Sequence, residues 1–239
     1  MPLRHTFRDR SGAPRPLPKL NLLEVKMHRS RIASRTAVVT VAAVAVLLSG
    51  QQARCQSASP TIGEPAPVFT LPDTYGAEHA LADYRGEWVV LEWLNYGCPY
   101  VKKHYNSQNM QNLQAEYGER GVKWLAIVSS APGKQGYYEP EAMNEMNEEK
   151  GQRALAVLLD PTGVVGKMYN AQTTPQMVII DPEGTLLYNG AIDDKPSSRP
   201  GSLEGAHNYL AAALDEALAG QPVSVPTTKP YGCSVKYPS

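Results

Sequence analysis

The chain has 239 residues, 42% of them hydrophobic and 19% charged, a composition that suits one folded domain with an appendage. Basic and acidic residues balance at 23 each, but residues 1–58 are strongly basic, so the remainder holds 13 basic against 21 acidic residues and lacks the positive face that nucleic acid requires. Three cysteines are too few for a small disulfide-stapled fold, and no apolar run reaches the length of about 18 residues expected of membrane-spanning helices.

Residues 1–58 have the pattern of an export signal. Thr36–Gly50 form an apolar run of 15 residues that follows several arginines and precedes a stretch of Ser, Ala and Pro. This order is typical of a cleaved secretory signal peptide. The run is shorter than the roughly 20 residues of a full span, so we expect cleavage, with an uncleaved signal anchor as the alternative. The sequence therefore predicts an exported, periplasmic or other extracytoplasmic protein, with membrane contact only through an uncleaved N-terminal segment.

Residues 59–220 predict one α/β domain, and its first half contains two buried strands. Residues 60–76 are rich in Pro and Gly and predict an irregular arm. Residues 87–94 begin with Glu87 and are then apolar except for Glu92, which predicts a buried strand, and residues 122–129 predict a second one. Between them, residues 99–118 predict a helix.

The second half of the domain continues the alternation of helices and strands. The predicted helices are residues 139–150, 164–169 and 203–219, and the predicted strands are residues 154–159, 176–180 and 185–190. The last two strands are joined by the turn Asp-Pro-Glu-Gly, which indicates a hairpin. Residues 221–239 predict a Pro-rich, irregular tail. The alternation predicts parallel strands with crossover helices and an antiparallel hairpin at the edge.

Cys98 follows a buried strand and opens a helix. Pro99 suits the first helical position because its missing N–H would be unpaired there. The free N–H groups and the helix dipole favour an anion, so a thiolate at Cys98 would be stabilised, and Lys102 and Lys103 add positive potential. The alternative is that Cys98 is a small buried hydrophobic residue, as many single cysteines are.

Two further features make a reactive site more plausible than position alone does. Glu92 is the single charge in its strand, and a buried carboxylate is costly enough to suggest a functional reason. Thr174 and Pro175 stand just before the strand of residues 176–180, where a cis peptide bond is plausible.

These residues resemble the thioredoxin-fold redoxins of the alkyl hydroperoxide reductase/thiol-specific antioxidant (AhpC/TSA) family, in its peroxiredoxin-like branch. The segments that carry the resemblance are GEPAPVFTLPDTYG, VVLEWLNYGCPYVKKHY, SSAPGKQGYY, TTPQMVIIDPEG and PYGCSVKY. They extend over about residues 62–236. The resemblance implies a thioredoxin-like fold, with a central mixed sheet of parallel strands and a C-terminal antiparallel hairpin, flanked by helices.

The resemblance also implies roles for individual residues. Cys98 corresponds to the nucleophilic cysteine of thioredoxins, Glu92 to their buried acid, which would transfer protons, and Pro175 to their cis-proline, which shapes the backbone that presents substrate. The residues expected to contact substrate are Pro99, Tyr100 and Thr174.

The chain departs from both family patterns at the cysteine. Val101 stands where a thioredoxin has its second cysteine, so the sequence Cys-Pro-Tyr-Val is not a redox CxxC. Leu91 and Asn95 stand where a peroxiredoxin has the Pro and Thr of its Pro-x-x-x-Thr-x-x-Cys motif. Without that threonine hydroxyl, we do not expect efficient peroxidase activity.

Cys233 is the intramolecular candidate for resolving a mixed disulfide on Cys98. After cleavage near Ala58, these two cysteines remain, and exchange needs a second thiol. We expect the tail to fold back so that Cys233 lies near Cys98. The pair then either cycles or forms a permanent structural bridge, and the absence of any bond is the third alternative.

The sequence favours an exported thiol-disulfide oxidoreductase with Cys98, Glu92, Pro175 and Cys233 as its catalytic residues. Its partners would be protein or small-molecule thiols and disulfides, with a partner protein thiol as the reductant. No organic cofactor is implied, and the scattered histidines indicate no metal site. The alternatives are a non-catalytic thioredoxin-like binding module with a structural Cys98–Cys233 bridge, and a weak peroxidase.

Overall fold

A computed structural model describes residues 60–239, and the predicted export signal lies outside the described residues. The strands, in chain order, are β1 Thr70–Pro72, β2 Glu78–Ala80, β3 Val89–Trp93, β4 Lys123–Val128, β5 Ala156–Leu159, β6 Thr173–Thr174, β7 Met177–Ile180, β8 Leu186–Gly190 and β9 Cys233–Ser234. The α-helices are α1 Pro99–Asn106, α2 Asn109–Glu119, α3 Pro140–Lys150, α4 Val164–Met168 and α5 Tyr209–Leu218. Within residues 60–239, no helix is long and apolar enough to cross a membrane.

The central sheet has five strands in the order β5-β4-β3-β7-β8. Strands β3, β4 and β5 run parallel, whereas β7 pairs antiparallel with β3 and β8 pairs antiparallel with β7. The turn before β8 forms as expected, because the Gly184 N–H donates to the carbonyl of Asp181 over 2.8 Å. The predicted mixed sheet and hairpin of a thioredoxin-like fold are confirmed.

Alternate residues of β3 enter two separate hydrophobic layers. Val90 belongs to the layer that contains residues of α1, α2 and α5, whereas Val89, Leu91 and Trp93 belong to the layer that contains residues of α4 and the N-terminal arm. Every residue of β3 is buried, which is why its sequence is apolar apart from Glu92 rather than alternating between apolar and polar residues. The carboxyl end of this buried strand fixes the position of the loop of residues 94–98, the cysteine loop, which ends in Cys98.

The single helix predicted for residues 99–118 is wrong, because the chain forms two helices there. α1 ends as the Ser107 hydroxyl donates to the carbonyl of Lys103 over 2.7 Å, and Gln108 takes a left-handed conformation with φ 60°. α5 also begins later than predicted. The Asn208 side chain caps it by accepting from the Ala211 N–H over 2.9 Å, so the chain before Asn208 is not α-helical.

Two segments predicted to be irregular contain short strands. In the arm, β1 and β2 form a small antiparallel hairpin whose turn is stabilised by the Asp73 carboxylate, which accepts from two backbone N–H groups. In the tail, β9 pairs antiparallel with β6. The second pairing brings the tail to the cysteine loop.

Candidate active site

Cys98 caps the N-terminus of α1, directly after the loop that follows β3. Its carbonyl accepts the first helical hydrogen bond, from the Lys102 N–H over 2.9 Å, and Pro99 occupies the first helical position as predicted. The first N–H groups of the helix have no partner within the helix and lie near the thiol, where they favour a negative charge. Cys98 is nevertheless fully buried, with 0% of its surface exposed.

The residues before the cis-proline and the tail meet at the Cys98 sulfur. The Thr174–Pro175 peptide bond is cis, as considered plausible from the sequence, and the Cys98 thiol donates to the Thr174 carbonyl over 3.1 Å. Thr174 pairs in register with Cys233 across β6 and β9. The tail thus folds back as expected and places Cys233 beside Cys98, with both cysteines present as free thiols.

The two thiols differ in acidity because each affects the other. Burial acts to raise the pKa of Cys98, but hydrogen bonds from the side chain and N–H of Cys233 and from the Val101 N–H, together with the nearby Thr174 side chain, outweigh it, so the pKa is lowered. Burial, together with the adjoining Cys98, raises the pKa of Cys233 to about 11. Cys98 therefore loses its proton first, and Cys233 keeps its own and donates to the thiolate.

Thr174 offers a further polar group at the site. Its buried hydroxyl lies close enough to Cys98 to lower the pKa of that thiol, although no hydrogen bond of good geometry is formed by this hydroxyl within the described residues. Thr174 therefore contacts the Cys98 sulfur through its carbonyl and places its hydroxyl nearby.

Glu92 is fully buried on β3, and its carboxylate has three hydrogen-bond donors. Tyr105 donates its hydroxyl to Oε1 over 2.9 Å, whereas Gln114 and Trp124 donate to Oε2 over 3.0 and 2.9 Å. Burial raises the pKa of Glu92 to about 7, even though these three hydrogen bonds act to lower it. None of its hydrogen bonds within residues 60–239 involves Cys98, so its proton-transfer role stays a prediction.

The residues predicted to contact substrate surround Cys98 to different extents. Pro99 is exposed beside it, and Tyr100 is half-buried because its ring packs edge-on against the ring of Tyr231, with centroids 5.7 Å apart. Val101 is fully buried in the core and has no thiol, so it cannot act as a second redox group. The tail therefore covers part of the surface on which substrate contact is expected.

A loop that the sequence left without a defined role is attached to the cysteine loop. The Asn95 amide donates to the Gln135 carbonyl over 3.2 Å, and the Gln135 amide donates to the Gly97 carbonyl over 3.3 Å. Gly136 has φ 87°, and a Cβ there would collide with the Asn95 side chain. The sequence patterns did not identify Tyr231 of the tail as a residue near the site. The PYGCSVKY segment around it was the signal that could have indicated it.

Within residues 60–239, no group of three or more His, Cys, Asp or Glu side chains is arranged to hold a metal ion. The chemistry that this arrangement offers comes from its two adjoining thiols. One thiol is acidic and buried at a helix N-terminus, and the other is protonated on a neighbouring strand.

Comparison with known proteins finds one family and several relatives. A model described as the AhpC/TSA family matches residues 62–189. The thiol-disulfide oxidoreductase ResA of Geobacillus kaustophilus is 29% identical over 125 residues, which are 52% of this chain and 66% of that protein, slightly less than two thirds of its length. A "Putative peroxiredoxin" of Mycobacterium tuberculosis is 27% identical over 134 residues, 56% of this chain and 79% of that protein. The crystal structure of an uncharacterized conserved protein from Geobacillus kaustophilus has a TM-score of 0.64 and 30% identity, and the match covers 74% of this chain and 93% of that one.

Proposed function

The chain belongs to the AhpC/TSA family, and from that membership and its paired cysteines we propose that it is a thiol-disulfide oxidoreductase that acts outside the cytoplasm. The observation that carries the proposal is the strand register of Thr174 with Cys233, which puts a protonated thiol against an acidic one. Similarity to a relative named thiol-disulfide oxidoreductase supports the activity, and the export signal predicted in residues 1–58 supports the compartment.

In the proposed reaction, the Cys98 thiolate attacks one sulfur of a substrate disulfide. The substrate S–S bond breaks, its other sulfur leaves as a thiolate and takes up a proton, and a mixed disulfide with Cys98 remains. Cys233 then loses its proton and attacks the Cys98 sulfur, which releases the second substrate thiol and forms the Cys98–Cys233 bond. The substrate gains two electrons, and a partner thiol later returns the chain to its dithiol form.

The burial of Cys98 and the negative charge of its thiolate support this order of steps. Cys98 is fully buried beneath β9, so the tail strand moves aside before an external disulfide reaches the sulfur. Once Cys98 is in a mixed disulfide it carries no negative charge, and that contribution to the raised pKa of Cys233 is removed. Cys233 is therefore easier to deprotonate when its attack is needed.

The proposal assigns three parts to the chain. Residues 1–58 are the export signal or signal anchor, residues 59–220 are the redoxin domain, and residues 221–239 are the tail that supplies Cys233. Glu92 is proposed as a buried proton-transfer group and Pro175 as the residue that shapes the substrate-facing backbone. Pro99, Tyr100 and Thr174 are proposed to contact substrate.

The test is a redox titration of the Cys98–Cys233 pair by mass spectrometry across a glutathione series. The third cysteine, Cys55 in the predicted export signal, is replaced by serine (Cys55→Ser) so that it cannot exchange with the pair. A reversible midpoint between about −120 and −270 mV is expected of an exchange protein. A bond that resists reduction below about −300 mV would instead indicate a structural bridge and a binding module. Cys98→Ser is expected to abolish thiol exchange, and Cys98-dependent consumption of hydrogen peroxide without exchange would favour the peroxidase alternative.

A further inference from the structure

A buried ion pair between Lys103 and Asp193 lies beside the tail. Lys103 is 1% exposed and Asp193 is 2% exposed, and their side chains are 3.2 Å apart. The ammonium also donates to the Lys195 carbonyl over 3.0 Å and to the Tyr231 hydroxyl over 2.8 Å. A buried lysine is costly unless each of its N–H groups is paired, and here the third partner comes from the tail.

The Tyr231 hydroxyl pairs with both charges at once. It accepts from the Lys103 ammonium and donates to the second carboxylate oxygen of Asp193. The ammonium also lies 5.0 Å from the centre of the Tyr231 ring, a cation–π distance. Phenylalanine would retain the ring contacts but could neither accept nor donate, so the hydroxyl is the group that this pocket recognises.

The pocket around the Tyr231 hydroxyl contains one cation, Lys103, and one anion, Asp193. His104 lies 3.7 Å from Asp193, but burial and the nearby Lys103 lower the pKa of this histidine to about 3, so it is neutral. Asp194 and Lys195 form their own pair at 3.3 Å on the outside. A neutral hydroxyl therefore completes the pocket without adding a buried charge.

Position in the chain connects this pocket to the reactive thiols. Lys103 is on α1, the helix that Cys98 caps, and Tyr231 stands two residues before Cys233. Gly232, which joins Tyr231 to Cys233, has φ 142°, and a Cβ there would collide with the Thr174 carbonyl. The connection between Tyr231 and Cys233 is therefore short and closely packed. One helix thus holds the nucleophile and the group that fixes the tail just before the second thiol.

Beyond Cys233 the tail has separate attachments. The Val235 N–H donates to the Gln172 carbonyl over 3.0 Å, and the Tyr237 hydroxyl donates to the Ala171 carbonyl over 2.6 Å. These contacts keep the end of the tail on the domain if the Tyr231 contact is lost. Loss of the Tyr231 hydroxyl should therefore alter the position of Cys233 without releasing the whole tail.

We propose that Lys103 and Asp193 form a socket for the Tyr231 hydroxyl, and that this socket sets the position of Cys233 opposite Cys98. Lys103, Asp193 and Tyr231 are then positioning residues of the redox pair. This inference rests on the proposed function, because a position matters only if the two thiols exchange.

The test compares Tyr231→Phe with Tyr117→Phe in the full chain with Cys55→Ser. Tyr117 is a matched control, because its hydroxyl also contacts a carboxylate, that of Asp215 at 3.1 Å, but lies between α2 and α5. The effective concentration of Cys233 at Cys98 is measured from the glutathione equilibrium. Tyr231→Phe is expected to lower it by about tenfold, since hydrogen bonds to charged groups are among the stronger ones, and Tyr117→Phe to leave it within about twofold.

A second readout separates position from general stability. Tyr231→Phe is expected to speed alkylation of Cys98 in the reduced protein and to raise the pH midpoint of that reaction, because the Cys233 hydrogen bonds are weakened. Neither change is expected in Tyr117→Phe. A Lys103→Met background should remove most of the effect of Tyr231→Phe if the two residues act together.

The outcomes distinguish the inference from the proposed function. If the parent forms no Cys98–Cys233 bond at any glutathione ratio, the proposed function fails, and the positioning role fails with it. If the parent forms the bond and the two Tyr→Phe variants behave alike in both readouts, only the socket is refuted. If Lys103→Met does not fold, the comparison of the two tyrosine variants still decides.

Discussion

Replacing Glu92 by glutamine should change how the stability of the domain depends on pH. Burial raises the pKa of Glu92 from its ordinary value of 4.5 to about 7. As pH rises, the unfolded chain therefore loses this proton before the folded chain does. The resulting decrease in the free energy of unfolding is absent below pH 4.5, grows between pH 4.5 and 7, and is complete above pH 7. At about 1.4 kcal/mol for each pH unit, the free energy of unfolding falls by about 3 kcal/mol over this range because of Glu92.

Glutamine can keep much of the hydrogen bonding while removing the charge. Its oxygen can accept from Gln114 and Trp124, and its amide can donate to the Tyr105 hydroxyl. Urea unfolding of the wild type and of Glu92→Gln at several pH values between 4 and 8 measures the difference. The variant should gain about 3 kcal/mol relative to the wild type between pH 4 and pH 8. Parallel profiles for the two proteins would refute the reasoning, because they would show that Glu92 titrates alike in the folded and unfolded chains.

Three other changes have outcomes that follow from the site. Cys233→Ala should raise the pKa of Cys98, because it removes a hydrogen bond that lowers it; an unchanged pH midpoint for Cys98 alkylation would contradict this. Gly232→Ala should detach β9 and speed Cys98 alkylation by about tenfold, whereas the control Gly220→Ala, which has open space around it, should not. Since the pKa of His104 is about 3 when folded, this histidine should lower the free energy of unfolding as pH falls below 6.5, by about 3 kcal/mol at pH 4, while Glu92 acts in the opposite direction over the same range. His104→Gln should therefore gain about 3 kcal/mol relative to the wild type between pH 7 and pH 4 in urea unfolding, and parallel profiles for the two proteins would argue against a neutral buried histidine.

The sequence predicts the sheet and the position of Cys98 at the start of a helix well because both depend on local patterns. A continuous apolar run can be buried on both faces only in the middle of a covered sheet, which is where β3 lies. The turn before β8 and the Cys-Pro sequence at the start of α1 likewise specify their geometry within a few residues. The cis bond before Pro175 agreed with the resemblance to redoxins.

The parts that were missed depend on partners far away in the chain. Lys103 was expected to add positive potential near Cys98, but it is buried and paired with Asp193, ninety residues later. Composition and periodicity carry no information about such a partner, and the same holds for Tyr231. The helix break at Gln108 also escaped prediction, since neither Gly nor Pro marks it.

The pairing of β6 with β9 has a consequence for the unfolded chain. It brings together cysteines that are 135 positions apart, so a bond between them closes a loop over most of the described domain. Closing a loop of that size removes enough freedom from the unfolded chain to stabilise the fold by about 5 kcal/mol in the chain-entropy model. By linkage, the folded domain holds the bond more tightly than the unfolded chain by the same energy, on the order of 100 mV of reduction potential. Resistance of the domain to heat would then report the oxidation state of its surroundings, and a reducing environment would shorten its lifetime.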